Sequence, residues 1–378
     1  MHHFLPEEYP QSVSQGYLAY QGWLFLQWVL QSFTYMFSTY ALLSSVGVAN
    51  AMPLSAAMNW VLKDGLGCVG MMLAASRLGG RVDESPKRTK LLADACFHVG
   101  VAMEMLLLLP SEHDPLLWIV VASVANALKA MSGLIGGACR ASLNSTFALH
   151  QNLGDITAKS QSQSTMGYLI GMLGGIPLSR VTGEDSGRII LAVAAFSAGA
   201  LYCSSKALSA VPLRSLNGHR AALLFRAHIS SKQMLSIEQV RAQERFFTSP
   251  ALFNGHLQGA SLVFGAALQS AFASPRRFQS AVHTFARERY LLSIQQKDAA
   301  ADQQSVAVVL HPDATPYDVL QAFYHCQLID AKGVSLPMEE SLRHVRTEFP
   351  ALWDGLLALE WSLERVHIRT GDIRVSWT

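Results

Sequence analysis

Between Tyr9 and Leu62 the chain has no Asp, Glu, Lys or Arg. Cysteine is sparse in a different way: Cys68, Cys96, Cys139, Cys203 and Cys326 stand far apart, with no CxxC pair and no Cys/His grouping at zinc spacing. That removes the usual sequence grounds for a disulfide framework, a zinc site or a dithiol redox motif. The 13 histidines are scattered, none in an HExxH pair, so no metal site is expected. No basic block occurs and the formal net charge is only +2, so nucleic-acid binding has no electrostatic footprint. No Gly-rich phosphate loop and no nucleophile triad motif is legible, which points away from an enzyme. MHHFLPEEYP has neither a basic start leading into an apolar stretch nor an Arg/Ser-rich transit pattern, so any targeting signal is expected to be internal or outside this chain.

What is present is unevenly spread. Residues 1–212 hold 24 charged residues and the shorter stretch 213–378 holds 32, so the chain reads as two materials joined near Pro212. The expected domains are a helical, membrane-type domain over 1–212 and a small α/β domain over 213–378. Six apolar segments divide the first part: Leu24 to Ala51, Pro53 to Leu78, Thr89 to Leu109, Leu116 to Ala138, Thr165 to Val181 and Arg188 to Ala207. Each is close to the roughly 20 residues that cross a hydrocarbon core of about 30 Å. Their Ala, Ser and Gly content also suits a buried helix of a soluble bundle, but the regularity favours spanning helices and lipid as a partner.

Two further patterns support membrane helices. Gly167, Gly171 and Gly175 lie four residues apart, as do Gly133 and Gly137, and small residues at that spacing let helix backbones approach closely. The first set is a candidate contact with a second copy or a paralogue, or with segment two or four of the same chain. Cations also cluster after segment two, at Arg77, Arg81, Lys87, Arg88 and Lys90, whereas PSEHDP after segment three has none. The asymmetry places the N-terminus and the C-terminal domain on the cytosolic, stromal or matrix side.

The second part reads as α/β. HRAALLFRAHISSKQMLSIEQVRAQERFF has helical spacing, while YLLSIQ and VAVVL look like strands. Thr315, Pro316 and Asp318 suit the start of a helix. A helix over Glu339 to Arg365 and a final hairpin turning at Thr370 to Asp372 complete the expected domain.

FLPEEYPQSVSQGYLAYQ, GVANA, WVLKDGLGCVG, LLADACFHVGVAMEML, NALKAMSGLIGGACRASLNSTFALHQNLGDITAKSQSQ and HPDATPYDVLQAFYHC resemble the root UV-B sensitive (RUS) family over most of the chain. The resemblance implies a role in vitamin B6 homeostasis and in light and UV-B stress signalling. It also implies paralogous partners, a plastid setting in plants and no established catalysis. Outside plants the setting would be the endoplasmic reticulum or mitochondrion. Lys63, Asp64, Asp94, Glu104, Lys129, Arg140, Asp155 and Lys159 match the family pattern. Phe97 and His98, the run Cys139 to Ser142, and Ser160 depart from it. RLGGR and LGDITAK further resemble the charged loops of major facilitator transporters, of which six helices would make one half.

Ionisable groups inside a membrane bundle usually mark a functional path. Lys63, Asp64, Glu104, Lys129, Arg140, Asp155 and Lys159 are therefore the candidate ligand-binding residues. Lys129 and Arg140, eleven residues apart, share one helix face. Three cations (Lys63, Lys129, Arg140) against two anions would suit a small anionic ligand such as pyridoxal phosphate. The competing reading pairs Lys63 with Glu104 and Asp64 with Arg140 as structural bridges. At the functional level, a protein that binds or moves a B6 vitamer stands against a scaffold acting through a paralogous partner.

Overall fold

The computed structural model describes residues 4–45, 53–109, 115–245, 260–298, 301–332, 337–368, 370–371 and 373–377. Contacts divide the chain into two compact units, Met1–Pro212 and Leu213–Thr378. Among the described residues the fold is mainly helical, with a few short strands.

The first unit holds α1 (Tyr17–Ser45), α2 (Pro53–Glu84), α3 (Pro86–Met105), α4 (Pro115–Phe147), α5 (Leu153–Thr182) and α6 (Ser186–Ser209). Three of these begin on proline, whose fixed φ and missing N–H suit the first helical position. Asp185 caps α6 by accepting the Arg188 backbone N–H at 2.7 Å. α1 packs along α5 and α6, and α4 along α2 and α3, with α3 meeting α1 and α6 between the two sets. The cores are small: Phe37, Val101, Met105 and Val193 form one, Leu42, Leu107, Trp118 and Ala122 another.

Large apolar side chains remain on the outside of this unit, among them Leu62, Leu66, Val69 and Leu73 of α2, Leu116, Leu117 and Val120 of α4, and Leu169, Leu173 and Ile176 of α5. Three described segments are long and apolar enough to cross a membrane: Pro86–Leu108, Leu116–Phe147 and Ser186–Ser209. Six helices are present, then, but hydropathy alone qualifies three of the described ones as spans.

Several expectations require correction. The cation cluster after segment two is not a loop, because α2 runs to Glu84 and α3 starts two residues later at Pro86. Lys87 and Lys90 are buried on α3, and Lys159 lies within α5. Gly167, Gly171 and Gly175 pack against α1 rather than against segment two or four. A methyl group at Gly171 would stand 1.7 Å from Ser32 Oγ and 2.4 Å from the Val29 carbonyl oxygen; at Gly175 it would meet Met36. Gly133 and Gly137 face open space instead.

The second unit holds β1 (Ser215–Asn217), α7 (Gly218–Ser231), α8 (Ile237–Gln243), β2 (Ala260–Phe264), α9 (Leu268–Ala271), α10 (Pro275–Thr284), β3 (Tyr290–Asp298), β4 (Ala301–Leu310), α11 (Pro316–Lys332), α12 (Met338–Ala358) and β5 (Ser362–His367). In one sheet β4 lies between β2, which runs parallel to it, and the antiparallel β3; β1 and β5 form a second, parallel pair. α11 is the core helix, buried on every side from Val319 to Ile329. Phe225, Phe323, Tyr324 and Phe349 cluster around it. Its start is a reciprocal cap: the Thr315 N–H and hydroxyl both donate to Asp318, at 2.8 and 2.6 Å, and the Asp318 N–H donates to Thr315 Oγ1. Among the described residues the expected final hairpin does not form; part of its turn, including Asp372, lies outside them. Its first arm is β5, paired parallel with β1, and the Val375 N–H donates to the Leu310 carbonyl instead. The partner helix ends at Ala358 rather than Arg365, since residues from Ser362 are spent on that strand.

Candidate functional site

One cavity of about 230 Å³ in the first unit is lined by Lys90, Asp94, Lys129 and Arg140. Four helices contribute to it. α4 supplies Lys129, Ser132 and Arg140, α3 supplies Lys90, Asp94 and Phe97, α1 supplies Trp28, Gln31 and Tyr35, and α5 supplies Tyr168. Lys90, Asp94 and Phe97 fall within two turns of one helix, and Lys129, Ser132, Gly136 and Arg140 follow the three- and four-residue spacing that keeps one face inward.

Two of the cations are neutralised. Lys129 donates to both oxygens of Glu104, at 2.6 and 2.7 Å, and to Ser38 Oγ at 3.2 Å; the Ser38 hydroxyl also donates to Glu104. Lys90 donates to both Asp94 oxygens at 2.5 and 2.6 Å, and the Ser204 hydroxyl donates to the same carboxylate at 2.6 Å. These pairs tie α1 to α3 and α4, and α3 to α6. Removed from water, each carboxylate is acceptable only with such a full set of donors.

Arg140 differs. Its guanidinium lies over the Trp28 ring, 5.2 Å from the centroid, and its buried Nη1 meets no hydrogen-bond acceptor among the described residues. The indole Nε1 of Trp28 is buried without an acceptor as well. Two orphaned donors on one cavity wall represent a substantial desolvation cost, and a bound acceptor group would relieve it. Lys90, Lys129 and Arg140 against Asp94 and Glu104 leave the site with an excess of one positive charge. Tyr35 and Tyr168, with centroids 6.2 Å apart, add aromatic surface.

Of the residues picked from sequence, Glu104, Lys129 and Arg140 come together here. Lys63 and Asp64 do not line this cavity. Lys63 is buried between Trp60, whose ring it covers at 4.4 Å, and its own neighbour Asp64, to which it donates at 2.8 Å; Asn126 of α4 donates to the same oxygen at 3.2 Å. The pairings Lys63–Glu104 and Asp64–Arg140 are therefore replaced by Lys63–Asp64 and Lys129–Glu104. Asp155 sits in the first turn of α5 and accepts the Glu7 backbone N–H at 2.8 Å, and Lys159 follows one turn later on the same helix; neither lines this cavity. Sequence reasoning missed Lys90, assigned to a loop, and the role of Asp94. The signal available was their i, i+4 spacing ahead of an apolar run. Ser160, a departure from the family pattern, donates to Gln21 at 3.4 Å, and Phe97, another, lines the cavity.

A family model described as the vitamin B6 photo-protection and homoeostasis domain matches residues 1–232, and one described as the root UVB sensitive protein C-terminal region matches 233–377. The chain is 31% identical over 393 residues to protein root UVB sensitive 3 of Arabidopsis thaliana, an alignment covering 99% of this chain and 85% of that protein. It is 30% identical over 323 residues to the Arabidopsis protein root UVB sensitive 2, chloroplastic, covering 85% and 70%. RUS family member 1 of Dictyostelium discoideum is 34% identical over 226 residues, covering 59% of this chain and 42% of that protein. No solved structure matches. The two family models between them span almost the whole chain, and the charged cavity lies inside the region of the first: the chain belongs to the root UVB sensitive family.

Proposed function

We propose that this chain is a non-enzymatic organellar membrane protein that binds, and moves, a phosphorylated B6 vitamer through the cavity between α1, α3, α4 and α5. The observation carrying the reading is the orphaned Arg140 guanidinium beside Trp28, in a cavity with one excess positive charge and aromatic walls. A phosphate supplies the acceptors that Arg140 lacks, and a pyridine ring finds Tyr35 and Tyr168 to lie against. The family model's description fits a B6 ligand, and a six-helix unit with a charged site between four of its helices fits half of a facilitator-type carrier. One relative is named chloroplastic, which supports a plastid membrane if the source is a plant or alga.

A second reading is a scaffold that acts through a paralogous RUS partner or a second copy of itself. In its favour, Leu62, Leu66, Val69 and Leu73 form an exposed apolar stripe along one face of α2. A contiguous apolar stripe of this kind is the surface a protein partner would cover.

Pyridoxal 5′-phosphate titrated into the purified chain tests the first reading. Arg140→Met is expected to weaken binding by about 1.5–3 kcal/mol, the worth of a hydrogen bond to a charged group, while leaving folding nearly unchanged because Nη1 makes no internal bond. Unchanged affinity in the variant, or no binding by the native chain, removes the vitamer-binding reading and leaves the scaffold.

A further inference from the structure

The C-terminal unit has a second cavity, of about 490 Å³, whose chemistry is opposite to that of the bundle site. Its walls are aromatic. Tyr317, in the first turn of α11, and Trp353, on α12, stand 4.9 Å apart between centroids at 61°, forming an open corner. Phe349, fully buried, backs Tyr317 edge-on at 5.0 Å and fixes its plane. Trp361 closes the floor; its indole N–H is spent on the Leu235 carbonyl at 3.3 Å. Leu357 and Pro316 complete the apolar rim.

Among the described residues lining this cavity the charged one is Glu364 of β5, and no described Lys, Arg or His lines it. The surroundings are acidic as well: burial, together with Glu288, Asp318 and Asp354 nearby, raises the Tyr317 phenol above its ordinary value. Aromatic faces present negative potential, and a corner of such faces with a carboxylate at its edge attracts a cation too weakly hydrated to prefer water. An anion or phosphate is disfavoured there by the same charges. A bare ammonium would forfeit hydration that two indoles and a phenol do not replace, whereas a methylated one loses little.

We infer that Tyr317, Trp353, Trp361 and Glu364 form a binding site for a quaternary alkylammonium group. That chemistry is supplied either by a free choline-like metabolite or by the choline headgroup of a lipid.

Calorimetric titration of the full chain, in phosphatidylglycerol nanodiscs, with choline, tetramethylammonium and 3,3-dimethyl-1-butanol tests this. The alcohol has the shape of choline without its charge. Choline and tetramethylammonium should bind, and the alcohol at least about tenfold more weakly, the factor expected from cation–π attraction in a partly desolvated site. Trp353→Leu and Glu364→Gln should each weaken choline binding several-fold with near-ultraviolet circular dichroism unchanged, and Trp353→Phe should retain most of it. Equal affinity for choline and the alcohol overturns the proposal. So does the absence of choline binding by the folded native chain, or indifference to both Trp353→Leu and Glu364→Gln. Repeating the titration in phosphatidylcholine nanodiscs assigns the source: loss of the choline signal there identifies the lipid headgroup as ligand, and its persistence a soluble alkylammonium.

Discussion

Lys129 and Glu104 lie 25 residues apart on adjacent helices and meet at 2.6 Å, with the carboxylate fully buried and the ammonium one-tenth exposed. Both sit beside Ser38 of α1, so one ion pair fastens three helices.

Breaking that pair from one side should therefore cost stability rather than ligand affinity alone. Lys129→Met leaves a buried carboxylate with Ser38 as its remaining donor, and about 3–5 kcal/mol is expected for an uncompensated charge of this kind. The double variant Lys129→Met/Glu104→Leu should recover most of the loss. Thermal unfolding of the four members of the cycle in detergent measures the coupling. A strictly additive double variant would mean that the pair contributes no mutual stabilisation.

The glycine contacts give a paired prediction. Gly171→Ala places its methyl against Ser32 and the Val29 carbonyl, and an overpacking cost of about 1–3 kcal/mol is expected. Gly137→Ala meets open space and should be neutral or stabilising by about 0.5–1 kcal/mol, through helix propensity alone. Equal melting shifts for the two would refute the close α1–α5 approach. Because that groove is already filled by α1, Gly171 substitutions should destabilise the protomer rather than dissociate an oligomer.

Acid should weaken the C-terminal unit in a defined window. His325 is fully buried, with Nδ1 3.1 Å from the Tyr290 hydroxyl and Nε2 2.8 Å from Ser341 Oγ, and burial lowers its pKa to about 3. The unfolded chain, titrating near 6.5, binds the proton first, so stability is full above about pH 6.5 and falls as pH drops towards 3. The slope from this one group is about 1.4 kcal/mol per pH unit within that range. His219 and His228, also lowered mainly by burial, act in the same direction. Denaturant midpoints measured from pH 7 to pH 4 should fall more steeply for the native chain than for His325→Gln. Parallel curves would remove His325 as the cause.

Membrane insertion is testable without a ligand. The exposed Leu62, Leu66, Val69, Leu169, Leu173 and Ile176 side chains predict that the chain stays in the pellet after alkaline carbonate extraction of its membranes. Release into the supernatant would favour the scaffold reading.

Much of the helical framework was legible in the sequence because apolar runs of about 20 residues have few alternatives. The polar ends were not. α5 begins twelve residues before the apolar segment at Thr165, since LGDITAKSQSQS is helical without being hydrophobic, and α1 begins at Tyr17, whose ring packs edge-on against Phe147. Which charges pair was illegible for a different reason: Lys63, Lys90 and Lys129 each had several carboxylates within reach of some helix arrangement, and only helix adjacency selects among them. In the second unit, β5 was legible as the first arm of a hairpin but its pairing was not, because its partner β1 lies well over a hundred residues away.

The position of α7 bears on how such proteins can be inherited and cut. The family boundary falls between residues 232 and 233, yet β1 and α7, residues 215–231, belong to the compact unit that starts at Leu213. Phe225 is fully buried in that unit's core, and β1 is the strand that pairs with β5. A gene fragment opening at 233 would encode a fold with a missing wall, whereas one opening at 213 would encode it whole. A cut at the boundary seen in the sequences would leave the first unit whole but strand β1 and α7 on it, away from the β5 partner and the core they complete.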